Sequence, residues 1–457
     1  MSLEEQFLST SNPPPVATVS FWQAAAYWLK LGFISFGGPA GQIALMHQDL
    51  VEKKHWISEQ RFLHALNYCM VLPGPEAQQL ATYLGWLMHK TWGGIIAGSL
   101  FVLPSLLILT FLGWIYLAYG HLELVANILY GIKPAVTAIV FFAAYRIGLR
   151  TLKNAWLWAI SSLAFLAIFW LHLAFPYIIL AAALLGTLGG KLKPEKFNLG
   201  GGQKLKQPYF GTAQINDDTP TPGHARFSWP GLIRIIFIGF ILWAGAMGLL
   251  CFVYGWHGVL TQMAWFFTKA AWLTFGGAYA VLPYVYQGAV EQYHWLNAGQ
   301  MIDALALGET TPGPLVMVVS FVAFITGWEQ AFLGNGQLFL SGAVAAAVIT
   351  YFTFLPSFVL IFAGGPLIES THGNLKFTAP LTGITAAIVG VIVNLAAFFA
   401  YPVFWPMGFS GSFDYFATII SLCALLALLR FQIGVVKVII ASALSGLCIN
   451  FLKSGTF

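Results

Sequence analysis

The strongest constraint on this chain is that it contains one stretch twice. The first copy reads Phe36-Gly37-Gly38-Pro39, His55-Trp56 and Leu72-Pro73-Gly74-Pro75; the second reads Phe275-Gly276-Gly277-Ala278, His294-Trp295 and Thr311-Pro312-Gly313-Pro314, always 239 positions on. Between Lys30 and Pro75 this offset gives 14 identities in 46 ungapped positions, where chance would give about three. Farther along the register moves to 252, with Leu103-Pro104-Ser105 matching Leu355-Pro356-Ser357 and Gly131 matching Gly383. The added residues of the second copy are expected near 327–342, where glycines mark a longer loop. A duplicated unit of this size must fold twice into the same elements.

Composition says where it folds. Hydrophobic residues make up 58% and charged ones 8%, against roughly 25% charge in a soluble domain. A soluble core cannot hide that much apolar surface, so the expected fold is an all-α polytopic membrane protein. The 17 Trp and 17 Tyr fit headgroup-level anchoring. Cys69, Cys251, Cys423 and Cys448 are scattered with no metal-ligand or disulfide spacing. The net charge of +5 comes from loop lysines and arginines, for which membrane topology is a simpler cause than nucleic acid.

In chain order, 1–18 is a polar N-terminal tail with Glu4, Glu5 and three prolines, unlike a signal peptide. The N-terminal transmembrane repeat is read at 19–190, a cytoplasmic linker rich in Lys, Gly and Pro at 191–228, an extra connecting span at 229–256 and the C-terminal repeat at 257–457. Within the first repeat, 41–61 is amphipathic, and 62–88 is apolar but interrupted by Pro73-Gly74-Pro75, hence two half-helices meeting at a break. One crossing per segment gives six, one and six, and the odd span between equal copies inverts the second. That count puts Arg146, Arg150, Lys153 and 191–206 in the cytoplasm but leaves Lys53, Lys54 and Arg61 on the wrong side. The alternative is that the broken helix does not cross.

Inverted repeats with helices broken at matching places point to a transport site. At a break, backbone N–H groups and the positive end of a half-helix become available at membrane depth, a setting that suits an anion. Gly37, Gly38, Gly74, Gly276, Gly277 and Gly313 leave those amides uncovered, the flanking Pro73, Pro75, Pro312 and Pro314 hold the breaks open, and Phe36 and Phe275 could wall the site. The bland alternative is that both motifs serve only close helix packing. Amides alone would form a donor-only site, favouring unprotonated dianions over phosphate.

The FGG, His-Trp and Pro73-Gly74-Pro75-Glu76-Ala77 motifs with their second-half echoes resemble, over nearly the whole chain, the long form of the chromate ion transporter family of bacterial and fungal membrane proteins. The resemblance implies secondary transport of chromate across the inner (cytoplasmic) membrane, as efflux giving resistance, with sulfate and molybdate as related oxyanions. It implies no cofactor and no enzyme activity, and the chain has no nucleotide-binding GxxxxGK[ST]. The partners expected are the oxyanion and the bilayer, with a homodimer left open. Ala278 stands opposite Pro39 and Leu315 opposite Glu76, so the copies are chemically unequal.

Charges inside apolar runs are costly and need a reason. Lys30 and Lys269 stand six residues before each FGG, and either offer charge to a dianion or snorkel to the interface. Glu76, at the start of the next half-helix, is a proton carrier or a cap, and Glu309, three residues before Pro312, is its candidate counterpart. Arg146 and Arg150 are edge anchors or an anion-recruiting pair. His55 and His294, each before a Trp, are interfacial anchors, or else gates or proton relays. A passive anion channel, an uptake carrier for sulfate or another oxyanion, and a membrane scaffold remain the competing readings.

Overall fold

The computed structural model describes residues 19–197, 213–216, 219–220, 222–275, 277–371 and 378–454; the tail at 1–18 and part of the linker lie outside the described residues. The described chain is helical, with one isolated bridge between Ile57 and Ile215. α1 (Phe21–Ile34) starts at a Ser20–Gln23 capping box and stops at the first FGG. There Gly37 and Gly38 take φ of 88° and 69°, a region that side chains disfavour. α2 (Gly38–His47) runs into a π-helical turn, Gln48–Lys53, and Ser58 caps α3 (Glu59–Cys69). After Pro73-Gly74-Pro75 comes α4 (Glu76–Tyr119), which folds back at His89 and Lys90, where φ is −133° and 58°. A Cβ on Gly93 would strike the Gly85 carbonyl, and one on Gly98 would stand 2.8 Å from Gln78 Nε2, so the arms of α4 lie side by side and antiparallel. α5 (Glu123–Thr151), α6 (Ala155–Phe169), α7 (Phe175–Leu192) and the short α8 (Pro194–Phe197) complete the first copy, and α9 (Trp229–Tyr254) connects to the second.

The second copy repeats each device. α10 (Val259–Leu273) ends at its FGG, α11 (Ala278–Tyr286) enters a π-helical turn, Gln287–Gln292, and Asn297 caps α12 (Ala298–Thr310) where Ser58 caps α3. α13 (Val318–Gln330) and α14 (Leu338–Thr371) match the two arms of α4, and the residues between them form the longer loop expected there. α15 (Thr378–Phe404), α16 (Tyr415–Leu429) and α17 (Val435–Ser454) follow. His55 and His294 share φ near 50°, as do His172 and Gln432, and Asn154 and Asp414 cap α6 and α16 alike.

The copies are upside down relative to each other. α4's second arm and α14 are the same helix in the two copies, yet Gly94 faces Phe362 while Gly98 faces Phe358, so they run antiparallel. Contacts near the helix ends define two faces. On one, Phe21 meets His89 (5.7 Å), Tyr27 meets Trp56 (5.2 Å), His224 Nε2 bonds the Trp86 carbonyl (3.0 Å) and Asn154 Nδ2 donates to the Lys196 carbonyl (2.9 Å). On the other, the Phe175 N–H donates to Gln287 Oε1 (3.1 Å), Tyr130 to Asp414 (2.7 Å), and Tyr254 meets Phe332 (5.5 Å). α1–α2, and α3 with α4's first arm, therefore enter from the linker face and return to it; their counterparts do so from the opposite face.

This corrects the count of six, one and six: the broken pairs do not cross. α3 has 11 residues, about 16 Å of helix, against a hydrocarbon core of about 30 Å. Among the described residues six helices are long and apolar enough to span, in α4, α5, α7, α9, α14 and α15, and the apolar stretches Ala155–Phe169, Leu315–Gln330, Tyr415–Leu429 and Val435–Ile449 are shorter. Lys53, Lys54 and Arg61 now fall on the linker face with the other basic loops.

The copies interlock at their breaks. The Gly74 N–H donates to the Thr274 carbonyl (2.7 Å) and the Gly313 N–H to the Ser35 carbonyl (2.9 Å), the same bond made in both directions. A Cβ on Gly74 would stand 2.4 Å from Ser357 Oγ, and one on Gly313 would stand 2.8 Å from Ser105 Cβ. Gly131 likewise rests on Ser442 and Gly446 of α17, and Gly383 on Ala182 and Gly186 of α7. We expect Gly74→Ala, with φ of 131° and no room, to destabilise the fold by roughly 1–3 kcal/mol, read as a lower melting temperature in detergent. Gly245→Ala and Gly248→Ala, where nothing stands within 4 Å, should melt like the parent.

Candidate functional site

A cavity of about 900 Å³ lies where the breaks of the two copies meet. Gly37 and Gly38 line it from the first copy and Gly277 from the second. A Cβ on Gly37 or Gly38 would meet nothing within 4 Å, and one on Gly277 would meet only Glu76 Oε1 at 3.9 Å. The absent side chains thus leave backbone facing open space. Three helices begin here without a side-chain cap: α2 after Gly37, α4 after Pro75 and α11 after Gly277. Their N-terminal ends bring partial positive charge to one place.

Three carboxylates, Glu52, Glu76 and Glu309, and two guanidinium groups share the cavity. Glu76 opens α4, and Glu309, in the last turn of α12, accepts a hydrogen bond from Tyr279 (2.5 Å). Arg146 and Arg150, one turn apart on α5, line the same wall. Neither arginine has an ion pair or hydrogen bond among the described residues. Toward the linker face the lining passes through Leu66, Phe62, Gln48 and Glu52 to His47, which pairs with Glu52 (3.1 Å) and with Glu59. On the far side, the crossed Gly74 and Gly313 bonds lie behind the breaks, and Gln42 Nε2 donates to the Gly313 carbonyl (2.5 Å). Nearer the opposite face, Asp303 pairs with Lys133 (3.3 Å) and accepts from Tyr116 (3.0 Å). The cavity lining is drawn from the linker-side half of the molecule, so its opening is one-sided.

The structure thus brings Gly37, Gly38, Gly277, Glu76 and Glu309 together. Phe36 is exposed beside them and Phe275 half-buried, while Gly276 lies outside the described residues. Pro73, Gly74, Pro75, Pro312, Gly313 and Pro314 are buried behind the cavity and do not line it. Lys30 is exposed on α1, and Lys269 Nζ sits 5.6 Å from the Trp265 ring centre; neither lines the cavity. His55 and His294 follow the π-helical turns at the two faces, the first accepting from the Gln214 N–H (2.9 Å) at its carbonyl and the second with Nδ1 2.8 Å from the Val290 carbonyl. Tyr279 went unread in the sequence, although it stands opposite Ala40, a polar departure inside the repeat. The carboxylates also make the cavity more than a donor-only nest. No group of three His, Cys, Asp or Glu suited to a metal occurs among the described residues.

The chromate transporter family model matches residues 22–187 and 261–447, both copies without the linker or α9. A probable chromate transport protein of Synechococcus elongatus is 32% identical over 378 residues, 82% of this chain and 83% of its own length. Chromate transport proteins of Cupriavidus metallidurans and Pseudomonas aeruginosa are each 30% identical, over 82% and 83% of this chain and 82% and 80% of theirs. No solved structure matches. The chain belongs to the chromate transporter family: it is a multi-pass secondary transporter and not an enzyme.

Proposed function

We propose that this transporter carries chromate, and with lower discrimination sulfate and molybdate, out across the cytoplasmic membrane, and that the cavity between the breaks is where the anion sits. The observation that carries this reading is the convergence of three uncapped helix N-termini and the unpaired Arg146 on one cavity at membrane depth. A tetrahedral dianion takes hydrogen bonds from several directions, and backbone amides with a guanidinium provide them. The basic loops gathered on the linker face support a cytoplasmic placement of that face, so the cavity receives its anion from the cytoplasm. The one-sided opening favours a carrier over a channel, which needs a continuous pore.

Glu76 and Glu309 supply the coupling in this reading. A dianion and a charged carboxylate repel at short range in a medium of low dielectric, so the anion binds most readily when a proton binds with it. Anion and proton then travel in the same direction, with the membrane potential, negative inside, favouring the outward movement of net negative charge. Lys30 and Lys269 remain candidates for a supporting role in drawing the anion to the membrane.

The direct test is flux of labelled chromate and sulfate in reconstituted vesicles under an imposed proton gradient of either sign. We expect a gradient-dependent rate, mutual competition with inhibition constants within about thirty-fold of each other, and loss of flux in Gly37→Val with the protein still in the membrane. Conductance indifferent to the gradient would instead indicate a channel, and accumulation against the expected direction an uptake carrier. Glu76→Gln should keep chromate-for-chromate exchange while losing its response to the gradient; an intact response would move the coupling role to Glu309.

Arg146→Gln removes a charge-assisted bond of roughly 1.5–3 kcal/mol, so its half-saturation concentration should rise about ten- to a hundred-fold. Lys30→Gln and Lys269→Gln, outside the lining, should change it by no more than about twofold. A larger effect would place an amine at the anion.

A further inference from the structure

A second cavity, of about 980 Å³, lies apart from the anion site. It is a groove between α4's second arm, α9 and α14, and it is walled by apolar side chains such as Ile95, Leu106, Ile235, Ile238, Phe358 and Phe362. Along it α9 touches α14, where a Cβ on Gly239 would stand 2.4 Å from Val359, and Tyr351 donates to the Leu242 carbonyl (3.0 Å). Along α4 the wall runs from Thr91 to Leu106, about 22 Å of helix, from the linker face to just past the middle of the arm, more than the roughly 15 Å depth of one leaflet's hydrocarbon.

The mouth is cationic. Arg226 and Arg234 line it, both exposed, and neither has an ion pair or hydrogen bond among the described residues. His224 closes one side, its ring engaged with the Trp86 carbonyl. An apolar groove of this size in a membrane stays neither empty nor wet, and two guanidinium groups at its headgroup end, unpaired among the described residues, select negative charge. We propose that the groove is a binding site for an anionic glycerophospholipid of the linker-side leaflet, one acyl chain against its apolar wall and the phosphate on Arg226 and Arg234. The lipid would seat α9, the connection between the inverted copies, against α4 and α14. Annular lipid would fill the same apolar space without regard to headgroup, and the cationic mouth is what separates the two cases.

The test is lipid retention. The full-length protein is purified in mild detergent, washed through phosphatidylcholine micelles, and its bound phospholipid quantified by mass spectrometry, with phosphatidylglycerol added beforehand as the probe. We expect about one phosphatidylglycerol per chain, at least fivefold less in the Arg226→Gln/Arg234→Gln double variant and in the groove-filling Ile235→Trp, and an unchanged amount in Arg146→Gln. In the unaltered chain, phosphatidylglycerol with a photoreactive acyl chain should label Ile238 or Phe358, which keeps the test informative if a variant fails to fold. Retention of phosphatidylcholine only, equal phosphatidylglycerol in the double variant, or labelling spread over the whole apolar surface would overturn the proposal.

Discussion

The fold depends on one exchanged pair of hydrogen bonds, from the Gly74 N–H to the Thr274 carbonyl and from the Gly313 N–H to the Ser35 carbonyl. Irregular backbone survives at membrane depth only where protein or a water-filled cavity satisfies it. Here each break is satisfied by the other copy, so neither repeat can hold its broken helices open alone. Because the two donors lie 239 positions apart and the two acceptors likewise, the duplication itself makes the bond pattern symmetric. Glycine at these positions serves twice, taking positive φ and letting Ser357 and Ser105 close in.

The unequal chemistry of the copies then gives the symmetric frame a direction. The first copy contributes Glu76 and the arginine pair of α5, the second Glu309 and Tyr279, and both contribute glycine backbone to the same cavity. Nearer the opposite face stands the Asp303–Lys133–Tyr116 cluster, whose counterparts under the duplication are His64, Thr385 and Ile368. An inverted pair with an opening on one face has, by its own symmetry, a related arrangement opening on the other.

Much of this was legible in the sequence, because repetition is hard to mistake and breaks made of Gly and Pro announce themselves. The duplicated unit and the broken helices came from reading motif spacing, which also named Gly37, Gly38, Gly277, Glu76 and Glu309 as candidates without saying that they line one cavity. What spacing could not give was the path of the chain at each break. A half-helix that turns back reads the same as one that continues, and only the basic Lys53, Lys54 and Arg61 hinted that the segment returns. Ser35 and Thr274 were overlooked because they match in chemistry and not in identity, and the bond uses their backbone. Lys30 and Lys269 looked central because they are duplicated, yet rotation about α1 and α10 takes them away from the cavity lining, and a residue's place around a helix next to a break cannot be read from its distance in sequence.

The account stands on the anion occupying the space between the two FGG breaks. Chromium is an anomalous scatterer, so crystals of the protein grown with chromate would locate it directly in an anomalous difference map. The account predicts one peak within hydrogen-bonding reach of the amides at the starts of α2 and α11 and of the Arg146 guanidinium, weakened by competing sulfate. A peak elsewhere in the membrane region, with that cavity empty at saturating chromate, would contradict it.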